Sequence, residues 1–308
     1  MRFSFVLSPE WSWKETLGLF RQAEAVGFER ILYGDHLLPM GGDIDGPVQE
    51  GWSILAAVAA TVPRVRVGAS VICNNFRNPA LLAKMAATVD QISGGRLSLG
   101  LGVGWYEQEH SAYGYGFPSA GERFRQLEES IQIVQSLFAN RRTTFNGAHY
   151  QVTDAPLFPK PVQSPLPIFI GARKPKGMKL AARYAQEWNT TDFNWIVEQQ
   201  GNELPEVMRT FHQACADEGR DVASIEASTL AFFAFEGDPG AGQAEFYRKH
   251  RGQLPVVGDG NTLCKAVERV EAAGFSQICV CSVTLGVGYD DLRRGMERFM
   301  TEVGARFA

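Results

Sequence analysis

The sequence has little cysteine, no long hydrophobic run and no excess of basic residues. Its five cysteines form an odd set without a Cys-x-x-Cys pair, a usage typical of reducing compartments. The longest apolar stretch, Ile54 to Val62, is far shorter than the roughly 18 residues of a membrane span. Basic residues number 30 against 34 acidic ones, whereas nucleic-acid binding needs a basic face. We therefore expect a cytoplasmic protein that binds neither membranes nor nucleic acid.

The sequence also lacks the motifs of covalent and metal catalysis. It contains no Gly-x-Ser-x-Gly motif and no cysteine in a papain-type context, which argues against a covalent nucleophile. Glu107, Glu109 and His110 lie close together, but no second histidine follows at the i+4 spacing of a zinc-binding helix. We therefore expect no metal site.

What the sequence does contain is a regular alternation of strand and helix patterns. Eight strands are predicted, at Phe3–Leu7, Arg30–Tyr33, Val65–Val71, Arg96–Leu101, Ile168–Ile170, Glu187–Thr190, Ile225–Phe235 and Gln277–Val283. Helical periodicity is found at Trp13–Val26, Trp52–Thr61, Pro79–Ile92, Glu122–Phe138 and Gly177–Ala185, and from Asp290 to about Ala305. Eight alternating units are the number that a (β/α)8 TIM barrel requires.

The predicted fold class is therefore α/β, with residues 1–308 forming one (β/α)8 barrel domain. Thr143–Val152 has strand composition around an Asn146-Gly147 turn, which predicts a small hairpin insertion. Long loops are expected at the C-terminal face of the barrel, where active sites of this fold are built.

Asp35 and His36 directly follow the second predicted strand, which places them at that face. A histidine titrates near neutral pH and can donate or accept a proton. A loop histidine that is hydrogen-bonded for structure is the alternative, and position alone does not separate the two.

Two glycine-containing segments also end predicted strands. Gly100-Leu101-Gly102-Val103-Gly104 lacks the third glycine of a dinucleotide-binding loop, so its glycines either let a flat ring approach the backbone or serve barrel packing. Gly171-Ala172-Arg173-Lys174-Pro175-Lys176-Gly177 combines three cations with a predicted helix start. It is either an anion-binding loop or a solvated basic loop.

Several stretches resemble the bacterial luciferase-like family of flavin and deazaflavin oxidoreductases. The resemblance rests on Ala25-Val26-Gly27-Phe28 before Asp35-His36, Val67-Gly68-Ala69-Ser70-Val71 with Asn78-Pro79-Ala80, Gly94-Gly95-Arg96-Leu97 before Leu101-Gly102-Val103-Gly104-Trp105, Gly121-Glu122-Arg123-Phe124 with Leu127-Glu128-Glu129, Pro167-Ile168-Phe169-Ile170-Gly171, and Leu180-Ala181-Ala182-Arg183-Tyr184-Ala185 before Trp188-Asn189. These stretches keep the family's order nearly from end to end.

Within that family the chain most resembles members that use coenzyme F-420, an 8-hydroxy-5-deazaflavin with a phosphate and an oligoglutamate tail. The resemblance implies a non-proline cis peptide bond at Ser70-Val71, in a bulge that supports the ring. It implies a catalytic His36 beside the ring. It further implies a set of cofactor-binding residues made up of Ser70, Val71, Cys73, Val103, Gly104, Trp105, Gly171, Ala172, Arg173, Lys176 and Gly177.

The resemblance implies an oxidoreductase that moves a hydride between coenzyme F-420 and a small organic substrate. Members that act on sugar phosphates have a carboxylate where this chain has Trp105, and a tryptophan where it has Met40. Specificity is expected in the loops Met40–Glu50 and Phe193–Pro205. An FMN-dependent monooxygenase and a non-catalytic flavin-binding paralogue are the alternative functions. The family resemblance also favours a homodimer.

Overall fold

The first strand–helix–strand unit shows how local sequence sets the element boundaries. The Ser12 hydroxyl accepts the N–H of Glu15, and the Glu15 carboxylate accepts the N–H of Ser12. This reciprocal pair satisfies backbone donors that a helix start leaves free. Gly27 ends the same helix in the left-handed region, at φ 101°, which glycine adopts without a steric penalty. The helix Trp13–Val26 and the strand Arg30–Tyr33 are therefore found at the bounds predicted for them.

The computed structural model describes residues 1–40, 43–191, 193, 205–251 and 255–307. The strands are β1 Arg2–Leu7, β2 Arg30–Tyr33, β3 Arg66–Ala69, β4 Ile72–Cys73, β5 Leu97–Gly102, β6 Arg142–Asn146, β7 Gln151–Pro156, β8 Ile168–Gly171, β9 Glu187–Thr190, β10 Glu226–Ala231, β11 Phe233–Phe235, β12 Val256–Gly258 and β13 Gln277–Cys281. The helices are α1 Trp13–Val26, α2 Gly51–Thr61, α3 Pro79–Ser93, α4 Glu107–Ala112, α5 Ala120–Ala139, α6 Pro175–Tyr184, α7 Glu206–Asp217, α8 Pro239–Arg251, α9 Gly260–Ala272 and α10 Tyr289–Glu302.

The main sheet closes on itself as a parallel barrel. Its strands follow the order β3-β2-β1-β13-β10-β9-β8-β5, and β5 pairs again with β3. The short strand β4 continues the line of β3 and pairs with the end of β5. The predicted (β/α)8 barrel is confirmed, with the carboxyl ends of all eight barrel strands on one face.

The predicted hairpin is present as β6 and β7, but its turn is longer than an Asn-Gly turn. The strands are joined by residues 147–150, and the Gly147 N–H donates to the Tyr150 carbonyl over 2.9 Å. The carboxylate of Glu129 on α5 accepts the N–H groups of Ala148, His149 and Tyr150 at 2.9–3.0 Å. A side chain from another element therefore sets the geometry of this turn.

Several predicted bounds differ from the structure by a few residues, and three predicted elements were wrong in a way that changes the architecture or the start of a helix. The third strand was predicted as Val65–Val71, but it divides into β3 and β4 around Ser70 and Val71. The seventh was predicted as Ile225–Phe235, but it leaves the barrel after Ala231, and β11 pairs with β12 instead. Neither break coincides with a proline, a turn dipeptide or a charged residue in the sequence. The helix predicted from Gly177 begins at Pro175, because proline is well suited to the first helical turn.

A buried polar cluster occupies the amino-terminal end of the barrel. Arg30, the first residue of β2, donates to both carboxylate oxygens of Glu187 at 2.6 and 2.8 Å. Ser4 and Gln277 complete the hydrogen bonds of the guanidinium at 3.0 Å each. Burial alone would raise the pKa of Glu187, but the charge and hydrogen bonds of Arg30 outweigh it and lower that pKa. A compensated ion pair thus fills the end of the barrel opposite the carboxyl face.

Apolar side chains fill the barrel above that cluster. Val6, Leu32, Phe169 and Cys279 pack together there, with the partly buried Val71 and Leu230 beside them. Gly100 admits the Phe169 ring, because a Cβ at residue 100 would lie 2.2 Å from the ring. In the part of the chain that the structure describes, no helix is long and apolar enough to cross a membrane.

Candidate active site

His36 lies just beyond the carboxyl end of β2, on the face where this fold builds its sites. Its Nδ1 atom lies 3.1 and 3.2 Å from the two carboxylate oxygens of Glu109 on α4. The same carboxylate accepts the backbone N–H of Leu37 at 2.9 Å. Glu109 is 2% exposed and His36 is 14% exposed, so one edge of the imidazole is fixed while part of the ring remains open to the face.

Asp35 is committed to structure rather than to proton transfer. Its two carboxylate oxygens accept from the Arg77 guanidinium at 2.7 and 2.8 Å, and one of them also accepts the Cys73 N–H at 2.9 Å. Arg77 makes a further ion pair with Glu50 at the start of α2. Asp35 therefore joins the ends of β2 and β4 to the helix that follows β2, beside the backbone that carries His36.

Cys73, at the end of β4, contacts a second histidine of α4. Its sulfur lies 3.6 Å from Nε2 of His110, and Nδ1 of His110 lies 2.9 Å from the Tyr106 carbonyl. A carbonyl only accepts, so Nδ1 carries the hydrogen and Nε2 accepts from the thiol. Burial raises the pKa of Cys73 to about 12, which keeps the thiol protonated. Gly104, at φ 71°, passes so close that a Cβ there would lie 2.7 Å from the sulfur.

Ser70 and Val71 lie between β3 and β4, and the peptide bond that joins them is cis, which confirms that prediction. The Val71 side chain lies between two strand-end glycines: a Cβ at Gly102 would be 2.5 Å from it, and one at Gly171 would be 3.4 Å from it. Gly102 therefore makes room for valine at the mouth of the barrel, whereas the distance at Gly171 is an ordinary van der Waals contact.

Trp105 and Tyr106 form an aromatic pair after β5. Their rings stack with centroids 5.3 Å apart, and the Trp105 ring meets His36 edge-on at 5.6 Å. Trp105 is 57% exposed, and Val103 before it is partly exposed. Aromatic surface therefore lies beside His36 at the position where the resemblance implies a cofactor contact.

The basic segment after β8 divides into exposed and buried residues. Arg173, Lys174 and Lys176 are exposed, whereas Ala172 and Gly177 are buried. The Lys176 ammonium donates to the Gly121 carbonyl at 3.0 Å, near the start of α5. No side chain caps the start of α6, so its first turn remains available to an anion.

The buried residues of that segment have structural contacts. The Ala172 N–H donates to the Asn189 carbonyl at 2.8 Å, and the Gly177 N–H donates to the Lys174 carbonyl at 3.0 Å. A Cβ at Gly177 would lie 2.7 Å from Ala172 and 3.0 Å from Phe124. Packing accounts for this glycine, and the phosphate contacts implied for Ala172 and Gly177 stay predictions.

The structure brings six of the twelve predicted site residues together through side-chain contacts. The contacts described above connect the carboxyl ends of neighbouring strands, and they involve His36, Val71, Cys73, Gly104, Trp105 and Gly171. Sequence reasoning missed Glu109 as the partner of His36 and Arg77 as the partner of Asp35. The sequence placed Glu109 after a barrel strand, on the same face as His36, but gave no signal that the two side chains pair.

Parts of two predicted regions lie outside the described residues. Of the proposed specificity loops Met40–Glu50 and Phe193–Pro205, residues 41 and 42 and residues 194–204 are not described. Over the described ranges, no three His, Cys, Asp or Glu side chains gather into a group that could hold a metal ion.

Comparisons with known proteins show what this chain is similar to. The F420-dependent glucose-6-phosphate dehydrogenase of Microbacterium testaceum (strain StLB037) is 36% identical over 193 residues, which are 62% of this chain and 56% of that protein. The pyrimidine monooxygenase RutA of Stutzerimonas stutzeri (strain A1501) is 30% identical over 213 residues, 67% of this chain and 57% of that protein. The chain thus spans little more than half the length of these curated relatives.

A solved structure supports the fold over the whole chain. An F420-dependent secondary alcohol dehydrogenase, in complex with an F420-acetone adduct, aligns with 99% of this chain and 98% of its own, at a TM-score of 0.84 and 20% identity. The model of the family described as luciferase-like monooxygenase matches residues 1–279. The chain belongs to the luciferase-like monooxygenase family.

Proposed function

We propose that this protein is an oxidoreductase that transfers a hydride between coenzyme F-420 and a small organic substrate. The observation that carries the proposal is the position of His36. The imidazole lies at the carboxyl end of β2, held on one edge by a buried carboxylate and partly open on the other. Relatives named as F420-dependent dehydrogenases support the choice of cofactor.

The residues present fit a flat ring that carries a phosphate. Val71, Val103 and Gly104 are partly exposed at the barrel mouth, where little side-chain bulk separates a ring from the backbone. Arg173 and Lys176 present cations beside the uncapped start of α6, and both features favour phosphate. We propose the whole set as the cofactor site: Ser70, Val71, Cys73, Val103, Gly104, Trp105, Gly171, Ala172, Arg173, Lys176 and Gly177.

The protein's part in the reaction is to bind, orient and transfer a proton. When bound, the deazaflavin supplies the carbon that accepts or releases the hydride. His36 takes the proton of an alcohol as it is oxidised, or returns it in the reverse direction. Arg173 and Lys176 hold the phosphate. Trp105 and Tyr106 cover His36 and limit its contact with water.

The substrate is proposed to be other than a sugar phosphate. The exposed ring of Trp105 lies beside His36 on this side of the site. This ring offers apolar contact to a substrate rather than a charge or a hydrogen-bond acceptor for a polyol. Trp105 and Met40 are also the two departures from the members that act on sugar phosphates. A small alcohol or carbonyl compound suits this surface.

The second candidate is an FMN-dependent monooxygenase, which the relationship to the pyrimidine monooxygenase favours. The deciding experiment titrates the protein with oxidised coenzyme F-420 and with FMN, followed by tryptophan fluorescence quenching. Turnover is then assayed with 2-propanol, glucose 6-phosphate and uracil while oxygen is monitored. Tighter binding of F-420 and turnover without oxygen uptake are expected. Preference for FMN with oxygen uptake would establish the monooxygenase instead.

We also propose that residues 1–308 form one barrel domain and that the protein is a cytoplasmic homodimer. All five cysteines are unpaired, as reducing compartments favour. Four exposed apolar side chains lie on α3 and on the segment alongside it, namely Leu81, Ile92, Phe158 and Val162. Lys84 ties that segment to α3 by donating to the Phe158 carbonyl at 2.8 Å. Light scattering tests the dimer by measuring the mass of the wild type and of Phe158→Glu. We expect the mass of two chains for the wild type and a lower mass for the variant, which places a charge among these apolar side chains. A mass of one chain in the wild type would refute the dimer.

A further inference from the structure

Glu109 has contacts that go beyond holding α4 in place. Both of its carboxylate oxygens lie within hydrogen-bond distance of Nδ1 of His36, at 3.1 and 3.2 Å, and one also accepts the Leu37 N–H at 2.9 Å. The side chain is 2% exposed. A carboxylate at this depth needs donors to compensate its lost hydration, and the imidazole and the adjacent backbone supply them.

We propose that Glu109 is the positioning residue that selects the tautomer of His36. A neutral imidazole carries one hydrogen, and an ionised carboxylate can only accept it. The Glu109 carboxylate therefore places that hydrogen on Nδ1 and leaves Nε2 with its lone pair toward the site. Nε2 is then the atom that takes or returns the proton, an assignment that rests on the proposed function of His36.

The neighbouring residue holds Glu109 in register. His110 contacts Cys73 at the end of β4 through Nε2 and the Tyr106 carbonyl through Nδ1. Adjacent side chains of α4 thus attach to the ends of two different strands, β2 and β4. A helix held at both points cannot rotate without breaking one of the contacts, so the Glu109 carboxylate stays within hydrogen-bond distance of Nδ1 of His36.

The carboxylate adjacent to His36 along the chain is engaged elsewhere. Asp35 accepts from Arg77 and from the Cys73 backbone. The rings of Trp105 and Tyr106 pack against His36 edge-on and carry no charge. Among the described residues, Glu109 is the carboxylate that hydrogen-bonds the imidazole.

The direct test reads the tautomer of His36 by nitrogen-15 NMR of the histidine rings. The signals of His36 are assigned by their loss in His36→Asn, and spectra are taken at a pH where the ring is neutral. The expected wild-type signature is a protonated Nδ1 and an unprotonated Nε2. Glu109→Gln should shift the population toward the Nε2–H form, because an amide can donate to Nδ1. A wild-type ring with its hydrogen on Nε2 would overturn the assignment, whether or not any variant folds.

The kinetic test separates positioning from folding. Glu109→Gln should lower kcat by roughly 10²-fold while the Kd for coenzyme F-420 changes less than about threefold, since the lost effect is on proton transfer. Glu109→Asp should restore part of kcat. The matched control is Glu107→Gln, an exposed glutamate of the same helix. Equal kcat in both glutamine variants would overturn the proposal. Absence of F-420 turnover in the wild type would instead reject the proposed function, and the NMR result would still decide the tautomer.

Discussion

Asp35 holds the guanidinium of Arg77 through both carboxylate oxygens, at 2.7 and 2.8 Å, with the two side chains only 1% and 9% exposed. Burial by itself would lower the pKa of Arg77, but the hydrogen bonds and charge of Asp35 outweigh it and raise that pKa. The same carboxylate binds the Cys73 N–H. The two strand ends that carry His36 and Cys73 are thus joined by one buried ion pair.

Removing the charge of Asp35 should destabilise the protein more than a surface change of the same kind. Asp35→Asn leaves Arg77 buried with only the partly exposed Glu50 as a carboxylate partner. We expect a loss of about 3 kcal/mol in the free energy of unfolding, at the lower end of the range for a broken buried pair. Urea unfolding measures it, with Asp45→Asn, which changes an exposed aspartate, as the control. A loss no greater than that of the control would show that the pair contributes little.

Replacing His36 should affect turnover far more than binding. His36→Asn removes the proton-transferring group but keeps a polar side chain of similar reach, so turnover should fall by about 10²–10⁴-fold while cofactor affinity changes little. Steady-state kinetics and fluorescence titration measure the two quantities. His212→Asn on α7 is the control. If thermal stability and binding fell together while turnover per bound cofactor was preserved, His36 would be a structural residue.

The basic segment after β8 should distinguish ligands by their phosphate. Arg173→Ala should weaken coenzyme F-420 by about one to two powers of ten, because charge-assisted hydrogen bonds contribute about 1.5–3 kcal/mol each. It should scarcely affect the same chromophore without the phosphate. Added salt should reduce the difference in F-420 affinity between the wild type and Arg173→Ala, because it screens the charge of an exposed arginine.

The control for that experiment is Lys179→Ala. Lys179 lies on α6 about one turn after Lys176, and its ammonium pairs with Glu218. Isothermal titration of the wild type and of both variants with both ligands supplies the six affinities. Equal weakening of both ligands by Arg173→Ala would mean that the segment supports the fold and that the phosphate binds elsewhere.

The cysteines should be inert toward alkylation in the native protein at neutral pH. Burial raises the pKa of every one of the five thiols, to about 12 for Cys73 and Cys281, and the thiolate is the reactive form. Iodoacetamide at pH 8 should add no label to the native chain and five to the chain in urea, counted by mass spectrometry. The pKa of these thiols is higher in the folded chain than in the unfolded chain, so they contribute to the free energy of unfolding fully below about pH 9. That contribution should be lost as the pH rises from about 9 to about 12. Rapid labelling of Cys73 at pH 8 would contradict its burial.

Local sequence decided most element boundaries in the first half of the chain. The helix α1 begins after the cap formed by Ser12 and Glu15 and ends at Gly27, and α3 begins after Asn78 and ends at Gly94. Such caps satisfy backbone groups within a few residues of themselves, so they can be read from local sequence. The helices α4, α7, α8 and α9 and the strand β12 were missed. The start of α7 has no side-chain cap. The apolar residues from Leu230 to Phe235 gave no sign that β10 ends at Ala231 and that β11 begins at Phe233.

By itself the sequence determined the alternation of strands and helices, the family, and the placement of His36 at a strand end. Only the tertiary structure decided which residues meet there. Glu109 lies 73 positions from His36 and Arg77 lies 42 from Asp35, and no periodicity or cap extends over such a distance. The physical reason is that these pairs form when the barrel closes: β2, β4 and β5 must first be laid side by side before the side chains beyond their ends can face one another.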